Sequence, residues 1–177
     1  LTKKKVRSVK FSTKSEHYQW SPNGNYILGC NDQGNIEAFL FSTTKLSLVR
    51  STKCAHTAPC KTLQIDPLNR YLASGGDDGL VALWELDDFV CVRTIECEGE
   101  VRSVSFNSDG RFLAISMSTN SLEIAEAETG APAYSLSSPG GGFCTAKFHP
   151  KRPLLAAACH RTLGRGDFGL RLWSCVY

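Results

Sequence analysis

"IDPLNRYLAS", residues 65–74, reads as two β-type runs hinged on a turn. Before it, "KTLQI" (61–65) alternates apolar and polar side chains; after it, "YLAS" opens a short apolar run. Between them Pro67 and Asn69 supply the turn chemistry. The same construction recurs in "WSPNGNYILG" (20–29), "FNSDGRFLAI" (106–115) and "FHPKRPLLAA" (148–157). The turn anchors Pro22, Pro67, Ser108 and Pro150 are 45, 41 and 42 residues apart. Four residues after each anchor stands a large apolar side chain: Tyr26, Tyr71, Phe112 and Leu154.

Working outward, each unit carries a third run: "GNIEAFLF" (34–41), "GLVALWEL" (79–86), "SLEIAEA" (121–127) and "GLRLW" (169–173). The first three units add a fourth: "KLSLVR" (45–50), "FVCVRTI" (89–95) and "PAYSLS" (132–137). No segment of helical length carries an apolar stripe of period 3.6. The fold class is therefore all-β. Four short strands in 40–45 residues is the period of a WD-repeat β-propeller blade. The expected organisation is a basic segment at 1–14 ending a preceding blade, then blades at 15–52, 53–97 and 98–138. An incomplete last blade follows at 139–177, without a fourth strand.

One stretch competes with this organisation. "HRTLGRGDFGLRLW" (160–173) contains His-Arg, Asp-Phe-Gly and Arg-Gly-Asp, triplets found in kinase active sites and integrin ligands. A kinase also needs a Gly-rich loop, a strand lysine and an Asp after His-Arg, all missing here. From turn anchor to the position opening the third run, Gly34, Gly79 and Asn120 stand 12 residues on in the first three units, and Gly169 stands 19 on in the fourth. The stretch is a lengthened loop between two strands, and Trp173 takes the place of Trp84.

The second unit holds a polar set that WD repeats resemble. His56, Ser74, Asp78 and Trp84 are the types needed for a buried chain from carboxylate to imidazole to hydroxyl to indole N–H. The same Ser, His and Asp types serve hydrolases, but neither a nucleophile elbow nor an oxyanion loop accompanies them. The other units depart from the set. At the third-strand anchor position stand Phe39, Trp84, Ala125 and Trp173 in turn. Gln33 and Thr119 replace the Asp, and Cys97 replaces the His of the third unit.

Composition bounds the function classes. Hydrophobic residues are 42% and charged residues 21% of 177, the balance of a globular chain. No apolar run reaches the ~18 residues of a membrane-spanning helix. Residues 1–14 hold six of the 20 basic residues and no acid, leaving 14 against 17 acids in the remainder. That lead segment is a solvated surface, or a touch point for phosphate or another protein. The eight cysteines include no Cys-x-x-Cys pair, so no metal site is expected. Cys30, Cys91, Cys144 and Cys175 lie in β-type runs and are expected to act as small reduced hydrophobes. "SSPGGGF" (137–143) lacks the Lys-Ser/Thr of a phosphate loop. Catalytic, cofactor-binding and small-molecule roles are not expected.

Three further segments, in order and at matching repeat positions, resemble the family of the third subunit of the THO complex. They are "DDFVCVRTIE" (87–96), "IAEAETG" (124–130) and "FHPKRPLLAAAC" (148–159), with the similarity strongest over residues 60–160. The resemblance implies a seven-bladed ring of which this chain supplies about four blades from the C-terminal part. It implies a nuclear, non-catalytic scaffold whose partners are other THO-like subunits, with RNA contacted indirectly and no membrane. A general WD-repeat adaptor, such as a ubiquitin-ligase substrate receptor or a chromatin-associated scaffold, is the alternative.

Overall fold

The computed structural model describes residues 13–42, 45–137, 143–159 and 169–174. The lengthened loop with its triplets as far as Phe168, the basic residues before Thr13, Cys175 and the "PGGG" stretch lie outside them. Among the described residues there are fifteen strands and no helix. The first sheet orders β1 (Ser15–Trp20), β2 (Tyr26–Asn31), β3 (Ile36–Phe41) and β4 (Leu46–Thr52) side by side. The second does the same with β5 (Cys60–Ile65), β6 (Tyr71–Gly76), β7 (Leu80–Glu85) and β8 (Cys91–Glu96). The third has β9 (Val101–Phe106), β10 (Phe112–Met117), β11 (Ser121–Glu126) and β12 (Pro132–Ser137). The fourth has β13 (Phe143–Phe148), β14 (Leu154–Cys159) and β15 (Leu170–Ser174). Every pairing is antiparallel, as short hairpin connections require.

The turn anchors explain the hairpins. Asn107 Oδ1 accepts from the Phe112 amide at 3.0 Å, and Asp66 Oδ2 from the Arg70 amide at 3.3 Å, closing the turn around each anchor. From Phe112 to Met117 every residue of β10 is buried. Alternation decides which way each points. Leu113, Ile115 and Met117 pack with Val81, Leu83 and Ile95 of the second sheet. Phe112 and Ala114 pack with Phe143, Phe148 and Leu155 of the fourth. A third cluster joins Leu28, Ile36 and Ala38 of the first sheet to Leu63, Leu72 and Trp84 of the second. The core is thus three apolar seams between consecutive sheets. On the first sheet Tyr18 and Trp20 are 44% and 51% exposed, and on the fourth Leu170 and Leu172 are 71% and 68% exposed.

Two of the cysteines depart from expectation. Cys30 is buried, whereas Cys91 and Cys144 are exposed although both stand in strands. Cys91 belongs to the outermost strand of its sheet, and Cys144 sits at the irregularity between Phe143 and Thr145. The outermost strands β8 and β12 leave most of their side chains exposed, so β-type sequence alone does not imply burial there.

Close approach fixes certain glycines. Gly34 has φ +72°, and a Cβ there would lie 2.2 Å from the His56 carbonyl oxygen and 2.8 Å from that of Ala58. Its own carbonyl accepts the His56 amide at 3.0 Å, tying the first sheet to the segment that enters the second. Gly24 has a similar φ of +71° but open space around it. Gly34→Ala is therefore expected to cost about 2–4 kcal/mol, combining backbone strain and overpacking. Gly24→Ala should cost only about 1 kcal/mol. Urea midpoints of the two variants check this; equal losses would contradict the packing account.

Candidate functional site

The chemistry-bearing residues of the second unit meet in one buried chain. His56, in the segment before β5, is 3% exposed, and Ser74 on β6 is 0% exposed. His56 Nδ1 lies 3.0 and 3.1 Å from the two carboxylate oxygens of Asp78, and Nε2 lies 2.8 Å from Ser74 Oγ. Trp84 Nε1 on β7 donates to Ser74 Oγ at 2.9 Å. Asp78 also accepts from the Thr57 and Leu80 amides at 2.9 and 3.2 Å. One proton assignment satisfies every member: Nδ1–H donates to Asp78, and Ser74 O–H donates to Nε2. The indole N–H then donates to one of the two Ser74 lone pairs. Space for the pair comes from Gly76, where a Cβ would sit 2.7 Å from His56 Nδ1 and 2.8 Å from Asp78 Oδ1. The arrangement has the order of a hydrolase triad, but its hydroxyl is sealed from solvent and already accepts from an indole. Its physical effect is to fasten three separate segments of one sheet.

The four third-strand anchors occupy equivalent rungs. Phe39, Trp84, Ala125 and Trp173 pair with Ile27, Leu72, Leu113 and Leu155, each five residues after its turn anchor. Trp84 is buried and its ring stacks on Phe89 with centroids 6.3 Å apart. Phe39 and Ala125 are also buried, and Trp173 packs edge-on against Phe143 at 6.2 Å. In the third sheet the buried chain has no counterpart. Cys97 is half-buried, with burial pushing its thiol up to about 12, and Thr119 Oγ1 is buried without a partner among the described residues. Gln33 of the first sheet is exposed, and its backbone amide is capped by Asn31 Oδ1 at 3.0 Å.

A second polar system joins neighbouring sheets. Among the described residues the first strand of the second, third and fourth sheets lies at a sheet edge, whose outward amides need acceptors. The acceptors come from the preceding sheet. Gln19 Oε1 takes the Ile65 amide at 3.3 Å, and Thr62 Oγ1 takes that of Val104 at 3.4 Å. Ser103 and Ser105 take those of Ala146 and Phe148 at 2.8 and 3.0 Å. The Lys147 ammonium reaches Gln64 Oε1 at 3.1 Å and the Val104 carbonyl at 3.0 Å, and desolvation pulls its pKa down. On another side, Arg70 holds the buried Asp66 carboxylate at 2.8 Å and reaches across to the Gly110 carbonyl at 3.3 Å. These residues escaped the sequence analysis, although a signal was present. Three and five residues before each turn anchor, every unit carries a polar side chain: Gln19 and His17, Gln64 and Thr62, Ser105 and Ser103, Lys147 and Thr145.

Among the described residues no group of three or more His, Cys, Asp or Glu side chains is placed to hold a metal ion. The six cysteines whose side chains are described are all free. A hydrogen bond with the Cys30 thiol, reinforced by burial, pushes the Cys60 thiol well above its ordinary range.

Antiparallel sheets stacked face to face, with a first-strand edge turned inward, define a WD-repeat β-propeller arc. Comparison with known proteins agrees. The model for "WD domain, G-beta repeat" matches residues 47–85, and that for "Anaphase-promoting complex subunit 4 WD40 domain" matches residues 92–141. The Cps50 (Swd1) β-propeller domain of Myceliophteria thermophila superposes with a TM-score of 0.76 at 19% identity, covering 92% of this chain and 51% of that one. The chain is a WD-repeat protein. It is similar to THO complex subunit 3 of Arabidopsis thaliana, 31% identical over 88% of this chain and 48% of that protein. It is also similar to WD repeat-containing protein AAC3 of Dictyostelium discoideum, 37% identical over 87% of this chain and 32% of that protein. The chain thus spans half or less of the length of these relatives.

Trp84→Ala removes a buried aromatic from the seam between the first two sheets and is expected to cost about 3–5 kcal/mol. His56→Ala strands Ser74 and Asp78 without emptying the seam and should cost about 1–3 kcal/mol. Urea melts measure both; negligible losses from both changes would contradict the buried chain's role.

Proposed function

We propose that the whole protein is a nuclear, non-catalytic scaffold subunit of a THO-like complex, coupling transcription to mRNA processing and export. The observation that carries this is the similarity to THO complex subunit 3, which runs through 88% of the chain and not through a single repeat. In this proposal blades at 15–52, 53–97 and 98–138, with a further one beginning at 139, are part of a seven-bladed ring. Partner subunits dock on its faces and rim, and RNA is held by those partners. Support for a non-catalytic role comes from the His–Ser–Asp set, whose hydroxyl is 0% exposed and spoken for by Trp84. A second proposal, an adaptor in a different large assembly, is favoured by the match of residues 92–141 to the anaphase-promoting complex subunit 4 model.

Affinity purification of the tagged full-length protein from nuclear extract, after nuclease treatment, separates the two. The THO-like proposal expects THO subunits to be retained without intact RNA. Their absence, with the core of a ubiquitin ligase or another assembly in their place, would overturn it.

A further inference from the structure

Between the first and second sheets, at their outer rim, lies a cavity of about 300 Å³. Both sheets that form it are complete four-stranded sheets. Its floor is apolar, from Leu28 and Ala38 on one side and Leu86 and Phe89 on the other. Val49, 46% exposed, extends the apolar surface to the rim. In the back wall Phe89 has φ +59°, in the left-handed region that favours glycine; its ring stacks on Trp84 and its amide donates a hydrogen bond to the Glu85 carbonyl at 2.8 Å. Such a bent aromatic at a pocket wall points to a built surface. The mouth carries opposite charges on opposite sides, Arg50 from β4 and Asp87 from the turn after β7. Each is exposed, and neither forms an ion pair with another described residue.

We propose that this cavity is a docking site for an extended peptide segment of a partner protein. The segment inserts one bulky apolar side chain, flanked by an acidic residue against Arg50 and a basic residue against Asp87. The volume suits one leucine- or phenylalanine-sized group with part of its main chain, at the small end of ligand pockets. Charge complementarity fixes which side of the mouth each flanking residue faces. β4 is the last strand of its sheet, and its outer edge pairs with no other strand among the described residues, leaving backbone groups for an extended chain to meet. This site goes beyond the THO-like proposal and holds for any assembly the protein joins.

The test is a methyl-NMR titration of the full chain with acetyl-Gly-Asp-Leu-Lys-Gly-amide. Its controls replace Leu by Ala, or Asp and Lys by Asn and Gln. The leucine peptide is expected to shift the methyl groups of Leu28, Ala38, Val49 and Leu86 saturably, and the alanine peptide to bind about tenfold more weakly or worse. Arg50→Glu, on an exposed side chain, should weaken the leucine peptide by about fivefold or more while methyl groups remote from the cavity, such as those of Leu113 and Leu122, keep their free-protein positions. Val49→Glu, at the exposed rim, should abolish the shifts. Indistinguishable leucine and alanine peptides, shifts away from the cavity, or no effect of Arg50→Glu would overturn the proposal. So would movement of the same methyl groups on simple dilution, which would place a second copy of the chain in the cavity.

Discussion

A β-sheet that is apolar on both faces cannot stand alone in water, and each sheet in this chain has that character. Leu113 and Phe112 are adjacent residues of one strand, yet they belong to different hydrophobic clusters on opposite faces of the sheet. Stability therefore comes from seams between sheets and not from any sheet by itself. At about 25 cal/mol per Å² of apolar surface removed from water, the packing of large side chains across three seams outweighs the surface ion pairs. Those pairs, such as Glu16 with Lys14 and Lys61, are partly solvated and only decorate the same joins.

Stacking faces leaves a second demand, because the inner strands of the second, third and fourth sheets still have an edge that no other strand pairs among the described residues. The solution is the row of Gln, Thr and Ser side chains that accept the next sheet's amides. Burial of an unmet amide costs about 1–3 kcal/mol, so these acceptors set the rotation and spacing of neighbouring sheets as well as stabilising them. The Asp78–His56–Ser74–Trp84 chain works at right angles to this, within one sheet. In the third sheet apolar Ile115 stands where Ser74 stands in the second.

The period, the all-β class and the strand order were legible because alternation and turn chemistry act locally. The buried chain was legible because its four residue types are rare in combination and stand at characteristic offsets. The inter-sheet acceptors were not recognised, since Thr62 or Ser103 in a strand looks like an ordinary polar alternate until the neighbouring edge is known. Exposure of Cys91 and Cys144 was likewise invisible, because edge position is a property of the sheet and not of the residue. The rim cavity needed the left-handed turn at Phe89, which its sequence, "DDFV", does not advertise.

The claim that adjacent sheets are sewn together through their inner edges is tested most directly by amide hydrogen exchange of Val104, Ala146 and Phe148. All three stand on edge strands, where unpaired amides exchange fast. The account predicts slow exchange at each, with Ser103→Ala accelerating Ala146 selectively while Phe148, held by Ser105, keeps its protection. Fast exchange at all three in the unaltered protein would contradict it.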